Sequence, residues 1–387
     1  MKTIRRALWA LALAVGLIAG AGPPGRADAQ GLVECDSLCV DAAELVQRFE
    51  LRESAAPVRE RAGWERPKKI VVADVPLADY LRSAVPGVEI VGVAGLRNYS
   101  GMAEVVGGAD VLIGLCTPEI VGRGTSLKWI QLLNAGADSC ATIPAVAERG
   151  ILVTNLQRIQ GPHMAEHAIA MLMSLARALP VYAAEQSSGA FTRGFRETRA
   201  ERPIEIEGKT LLVVGLGGIG TEVAKRAHGL GMHVIATRNS RREGPDYVEY
   251  VGLADEYRRL AARADVVVNS TPLTPETRSM FDAEFFAAMK DGSYFINIGR
   301  GESVVTAALT AALQAGTIGG AGLDVTDPEP LPPGNPLWSM SNVIITPHIA
   351  TSSDYRSDRT FTLVAENVRR YVRGDAVLSV VDLAAGY

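Results

Sequence analysis

Residues 211–220 read Leu-Leu-Val-Val-Gly-Leu-Gly-Gly-Ile-Gly, an apolar run that passes straight into a glycine turn. The spacing is G-x-G-x-x-G, with Gly215, Gly217 and Gly220 at its fixed points and helical character in the residues beyond. Few folds use such a segment. The first glycine turns the chain sharply out of a strand, the second lets backbone approach a pyrophosphate, and the third lets the helix pack close on the sheet. Free N–H groups at the helix start, near Gly218 and Ile219, then face the phosphates. The pattern predicts a strand–turn–helix unit that cradles a dinucleotide.

In such a unit the following strand commonly ends in a carboxylate that holds the ribose hydroxyls. Here His233–Ala236 runs into Thr237-Arg238-Asn239-Ser240-Arg241-Arg242. Arg238 stands where the acid is expected. A carboxylate repels a 2′-phosphate, whereas a guanidinium binds it bidentately. Thr237 and Arg238 are therefore read as cofactor-binding, and NADP is favoured over NAD. At least one of Arg241 and Arg242 is expected to be an ordinary solvated loop residue.

The rest of the chain repeats the alternation of short apolar runs and crossovers. Strands are expected at Lys69–Ala73, Val88–Val93, Ala109–Gly114, Trp129–Leu133 and Ile151–Val153, continuous enough to be buried parallel strands. An apolar helix over His163–Leu179, stopped by Pro180, leads through a polar arm (Ser187–Glu207) to a second series. That series has six strands: Thr210–Val214, His233–Ala236, Val266–Asn269, Tyr294–Ile298, Gly320–Leu323 and Val343–Ile345. Helical spacing also marks Val40–Arg52 and Ser352–Arg373, the latter expected to return to the first domain. At 387 residues the chain exceeds one ordinary core, so two domains are expected.

Three late strands each end in a chemically capable residue: Asn297-Ile298-Gly299-Arg300, Asp324-Val325-Thr326-Asp327-Pro328-Glu329 and Thr346-Pro347-His348. In an open α/β sheet ligands bind outside the carboxyl ends of the strands, so all three can meet in one crevice. With Asn134–Asp138, Ala165-Glu166-His167 and Thr271-Pro272-Leu273-Thr274, this order of segments closely resembles the D-2-hydroxyacid dehydrogenase family, over residues 68 to 380. That family includes glyoxylate/hydroxypyruvate reductases. The resemblance implies a Rossmann doubly wound coenzyme domain (161–349) inserted in a flavodoxin-like α/β substrate domain (67–160, completed by 350–387).

It also implies roles. His348 would be the acid/base, Glu329 would hold its other ring nitrogen, and Arg300 would bind the carboxylate and polarise the keto oxygen of a small 2-keto or 2-hydroxy acid. Backbone N–H groups near Ala135 and Gly136 would hold the carboxylate from the other domain. Thr271, Pro272, Ile298, Gly299 and Asp324 would line the cofactor. The hydroxy acid would be the R isomer, and the polar arm would serve a homodimer. Members acting on formate carry Gln where this chain has Glu329. His163, His167, His228 and His233 are read as structural.

The first residues are set apart from the fold. Lys2, Arg5 and Arg6 precede an apolar stretch from Ala7 to about Ala21, and Ala27-Asp28-Ala29 suits signal peptidase. The stretch falls short of the roughly 20 residues that span a bilayer, so 1–29 is read as a cleaved export signal to the periplasm, leaving no membrane anchor. The surroundings of Arg5-Arg6 fit the twin-arginine pattern poorly, which favours general secretion. Residues 30–66 form an extension without recognisable chemistry. Cys35 and Cys39 lie close enough to close a loop but have no His or further Cys nearby, so no metal site is expected. Cys116 and Cys140 are read as separate small buried side chains.

A formal net charge of −4 and 6% aromatic residues, with no basic–aromatic interleaving, argue against a nucleic-acid partner. Export sits awkwardly with a cofactor scarce outside the cytoplasm. A second reading is therefore an exported nucleotide-binding sensor or scaffold with little turnover.

Overall fold

The computed structural model describes residues 41–95, 98–191 and 202–387. The expected export signal, Cys35, Cys39 and the middle of the polar arm lie outside the described residues. Strands β1 (Lys69–Val72), β2 (Glu89–Gly92), β3 (Val111–Gly114), β4 (Trp129–Leu132) and β5 (Leu152–Thr154) form one sheet in the order β2-β1-β3-β4-β5. All its pairings are parallel. This is the flavodoxin-like order. β1, β3, β4 and β5 are buried almost throughout, which is why their sequences run apolar without alternation.

The second sheet contains β6 (Thr210–Val214), β7 (His233–Arg238), β8 (Tyr250–Leu253), β9 (Val266–Asn269), β10 (Tyr294–Asn297), β11 (Gly320–Leu323) and β12 (Val343–Ile345). Their order is β12-β11-β10-β9-β6-β7-β8, again parallel throughout, with the strand sequence reversing between β6 and β9 as in a Rossmann sheet. The sheet has seven strands where six were expected. Tyr250–Leu253 is a four-residue edge strand with Gly252 in it, too short and too glycine-marked to stand out as an apolar run.

The linking helix also differs from expectation. It spans Gly161–Ala176, and a separate helix, Leu179–Ser188, follows at a 68° bend. Ala178 sits at φ 52°, and Pro180 lies in the first turn of the second helix rather than ending the first. Proline lacks only an N–H that the first turn leaves unpaired anyway, so it opens a helix as readily as it ends one.

The C-terminal helix Arg356–Arg373 shares a core with the first sheet: Leu363, Val364 and Val368 are buried with Ile70, Val72 and Leu81. Trp129 stacks on Tyr371 at 4.6 Å and donates from its ring N–H to Thr154 Oγ1 at 2.8 Å. Residues 41–58 join this core through Leu45, Phe49, Leu51 and Val58, each worth about 2 kcal/mol of apolar burial. Backbone pairing pins the same stretch to the C-terminal segment: Ser54 N–H donates to Val377 O at 2.7 Å, and Ser379 N–H to Arg52 O at 2.9 Å.

Cys116 and Cys140, expected as separate thiols, are a disulfide with Cα atoms 5.2 Å apart. Sequence spacing does not reveal it, because the two residues meet only when β3 and β4 lie side by side and present their following loops together. A sequence separation of 24 gives a loop whose closure stabilises the fold by about 3 kcal/mol on chain-entropy grounds. Cys140→Ser should therefore lower unfolding free energy by about that amount. Urea melts of both proteins, with and without dithiothreitol, check this; wild type should fall to the variant's value only when reduced.

Candidate active site

At the end of β6, Gly215 takes φ 96°, a conformation that an L side chain rarely adopts. Its backbone lies against Ser270 O, which a Cβ would meet at 3.0 Å. Gly217 is exposed with nothing within 4 Å of a Cβ position, so the face that a phosphate would approach is open. The helix Gly218–Gly229 then begins with no side chain capping it. A Cβ at Gly220 would fall on the Gly215 carbonyl oxygen and come within 2.8 Å of Val213 Cγ1, so helix and strand are in backbone contact here. These features fit a dinucleotide pyrophosphate: an open glycine face beside uncapped helix amides.

Thr237 is buried at the end of β7, and its carbonyl accepts from Leu216 N–H at 2.8 Å. Arg238 donates from Nε to Leu216 O and from Nη1 to Glu243 O, both at 2.7 Å, so it ties the glycine loop to the loop after β7. Burial, then the nearby guanidiniums of Arg241, Arg158 and Arg52, push its pKa down. Arg242 points elsewhere, 2.6 Å from Glu256.

The opposite side of the crevice is built on paired asparagines. Asn269 and Asn297 end β9 and β10 in register and are fully buried. Asn269 Nδ2 donates to Asn297 Oδ1 and Ser303 Oγ, each at 2.9 Å. Asn269 Oδ1 accepts from Thr271 N–H at 3.0 Å and Thr271 Oγ1 at 2.7 Å, which fixes the loop carrying Pro272. Asn297 Oδ1 accepts from Gly299 N–H at 3.0 Å, and Asn297 Nδ2 and Ser303 Oγ donate to Arg300 O at 3.1 and 2.6 Å. Buried Ile298 and this network thus set the backbone from which Arg300 projects. The signal for it was available: two apolar strands each closing on Asn.

Arg300 reaches the other sheet. Its Nε and Nη2 lie 3.2 and 2.9 Å from Asp138 Oδ1, and its Nη1 donates to Gly299 O at 2.9 Å. A Cβ on Gly136 would fall on Arg300 Nη2, so glycine is needed for the guanidinium to pass. Ala135 O accepts from Asn155 Nδ2 at 2.7 Å. Among the described residues nothing accepts from the N–H groups of Ala135 and Gly136. The Cys116–Cys140 disulfide ties the helix Asp138–Ala141, which follows this loop, to the segment after β3.

His348 Nδ1 lies 2.8 Å from Glu329 Oε1, which leaves Nε2 to face a ligand. Glu329 is held below the usual carboxylate range, first by its bond to His348 and further by the charge of Arg300. His348 itself sits at φ 53°, a strained backbone for a non-glycine residue. The strain is balanced by Asp324. Its buried carboxylate accepts from Thr346 Oγ1 at 2.7 Å, Ile349 N–H at 2.9 Å and Ala350 N–H at 3.0 Å, while its carbonyl accepts from His348 N–H at 2.8 Å. Asp324, named above among the residues lining the cofactor, has its carboxylate engaged by the histidine loop. His167 joins this network, with Nε2 2.9 Å from Thr346 Oγ1 and 3.5 Å from Asp324 Oδ1.

With this geometry in view, relatives place the chain. It is 34% identical over 291 residues to the glyoxylate reductase of Korarchaeum cryptofilum, an alignment covering 70% of this chain and 84% of that protein. This chain belongs to the D-isomer-specific 2-hydroxyacid dehydrogenase family. The family model for the NAD-binding domain of these dehydrogenases matches residues 169–350. D-3-phosphoglycerate dehydrogenase of Methanocaldococcus jannaschii is 33% identical over 319 residues, 81% of this chain; the match spans only 59% of that longer protein. Among solved structures, a D-isomer specific 2-hydroxyacid dehydrogenase from Xanthobacter autotrophicus in complex with NADPH is similar at TM-score 0.68 and 29% identity, covering 84% of this chain and all of that one. An NADPH-dependent glyoxylate/hydroxypyruvate reductase from Sinorhizobium meliloti, in complex with NADP, is similar at TM-score 0.67 and 28% identity, covering 83% and 100%.

The remaining histidines of the family member lie apart from Glu329. His233 meets Glu249 on the surface, and His228 stacks on Tyr247. His163 is buried near Ser353, with its pKa lowered from 6.5 to about 4 by burial and by Arg359 and Arg356. Unfolded His163 takes up a proton near pH 6.5 and the folded side chain only near 4, so stability is intact above 6.5 and falls across that window. At pH 4.5 the loss should be roughly 2 to 3 kcal/mol. Urea melts at pH 7.0 and 4.5 should show a smaller pH difference for His163→Gln; an equal difference removes His163 as a cause.

Proposed function

We propose that the protein transfers hydride between a nicotinamide dinucleotide and a small 2-keto or 2-hydroxy acid, with NADPH preferred over NADH. One observation carries the reading: a histidine oriented by a carboxylate stands at the same strand-end crevice as an arginine that crosses to the Ala135–Gly136 loop. The names of relatives, glyoxylate reductase and glyoxylate/hydroxypyruvate reductase, support two- and three-carbon keto acids as the substrate class.

The bound nicotinamide supplies the hydride. His348 Nε2 donates a proton to the substrate oxygen during reduction and recovers it in oxidation, with Glu329 holding Nδ1 and fixing the tautomer. Arg300 polarises the keto oxygen and binds the carboxylate. Since Asp138 occupies its Nε–Nη2 edge, the substrate carboxylate takes over that edge or shares it. The amides of Ala135 and Gly136, unpaired among the described residues, receive the same carboxylate from the other sheet, and the R isomer follows from the family. Residues 67–160 with 350–387 would act as the substrate domain and 161–349 as the coenzyme domain. The basic-then-apolar start at 1–29 supports export, and the polar arm supports a homodimer.

His348→Ala should lower reduction of glyoxylate or hydroxypyruvate by about 10²- to 10⁴-fold, followed at 340 nm, with NADPH affinity within about threefold of wild type. Retained turnover would remove His348 from the chemistry. Dinucleotide binding with no turnover on any keto acid would favour the sensor or scaffold reading. Arg238→Asp should move preference from NADPH toward NADH in the same assay. An unchanged ratio would place 2′-phosphate recognition elsewhere.

A further inference from the structure

A cleft of about 570 Å³ opens beside the glycine loop, between the helix Gly218–Gly229, the loop after β7 and the stretch of chain that precedes β1. Six basic side chains line it: Arg48, Arg52, Arg158, Lys225, Arg238 and Arg241. Three carboxylates do so too, and two are engaged: Glu50 pairs with Arg158 at 3.1 Å and Glu222 with Arg226 at 2.5 Å. Glu243 lies 3.9 Å from Arg241 and is mostly exposed. The cleft is thus cationic on balance. Among the described residues Arg48, Arg52 and Lys225 make no ion pair. Like charges held together cost free energy unless an anion comes between them; the pKa of Arg238 is lowered first by burial and then by Arg241, Arg158 and Arg52.

Arg48 and Arg52 belong to the extension, in which the sequence shows no chemistry. The structure makes it a fixed wall. Phe49 is buried with Arg48 and Arg359 over its ring at 5.3 and 5.4 Å, and the Arg52 carbonyl is paired to Ser379 N–H. Arg158 joins this wall to the nucleotide loop. Its Nη1 donates to Phe49 O at 3.3 Å, its backbone takes φ 70°, and a Cβ at Gly218 would meet its Cα at 2.9 Å. The extension is therefore mechanically continuous with the first turn of the nucleotide helix.

We infer that the segment Asp41–Arg52 is part of the cofactor site, with Arg48 and Arg52 facing Arg238 and Arg241 to bind the 2′-phosphate of the dinucleotide between them. The inference rests on the dinucleotide reading above and extends it to a wall outside the Rossmann sheet. The ligand chemistry follows from position: Arg238 lines the cleft and ends the strand at whose terminus a fold of this kind reads the ribose hydroxyls. A phosphate monoester there gains charge-assisted bonds that a free hydroxyl does not.

The test uses the purified chain, with 2′-phospho-ADP-ribose and ADP-ribose titrated by calorimetry and NADPH and NADH by fluorescence. The double variant Arg48→Gln, Arg52→Gln should bind 2′-phospho-ADP-ribose and NADPH ~10- to 100-fold more weakly. ADP-ribose and NADH should change less than about threefold, which also reports an intact fold. Arg48→Lys with Arg52→Lys should recover most of the affinity, since charge without fork geometry remains. Equal losses on both ligand classes, or none on either, would overturn the inference while leaving the dinucleotide reading standing. Wild type that binds neither dinucleotide would sink both.

Discussion

Parallel pairing of strands forces each connection back over a sheet face, so the carboxyl ends of all strands in a sheet open in one direction. The site depends on that constraint. Gly215, Arg238, Asn269, Asn297 and Asp324 each sit at or next to a carboxyl end in the second sheet, and Ala135 and Gly136 follow one in the first. Six strands, five in the second sheet and one in the first, thus deliver residues to strand ends, where Arg300 bridges to the Asp138 carboxylate.

What holds the rim in shape is buried polar chemistry rather than apolar packing. The Asp324 carboxylate and the Asn269–Asn297 pair each satisfy several backbone and side-chain donors in a place water does not reach. Such groups are costly when unpaired and stiff when paired. They allow His348 to keep a strained backbone and Arg300 to project across the crevice, each from a strand end with little room to relax.

Much of this was legible from residue order alone. The glycine spacing, the apolar runs and the strand-end Arg, Glu and His pointed to the fold class and to the residues that the structure gathers. Other features were not legible, for definite reasons. Tyr250–Leu253 is an edge strand too short to show a pattern. Pro180 reads equally well as the end of one helix or the start of the next, and Ala178 at φ 52° decides it. The position of Asp324 just after a strand was visible, but the donors its carboxylate accepts from, Thr346, Ile349 and Ala350, were not. His167 looked like packing on an apolar helix until Thr346 was brought beside it.

Residue order alone shows the glycine turn, most of the segments buried on both faces and the functional groups at strand ends, because these follow from local backbone preference and apolar patterning. Which partner each group meets comes from packing. Arg300 with Asp138, Cys116 with Cys140, and Arg158 with Phe49 are separated by 162, 24 and 109 residues. Contacts of that kind are fixed by how two sheets and an N-terminal wall pack together, and no short stretch of sequence contains that information.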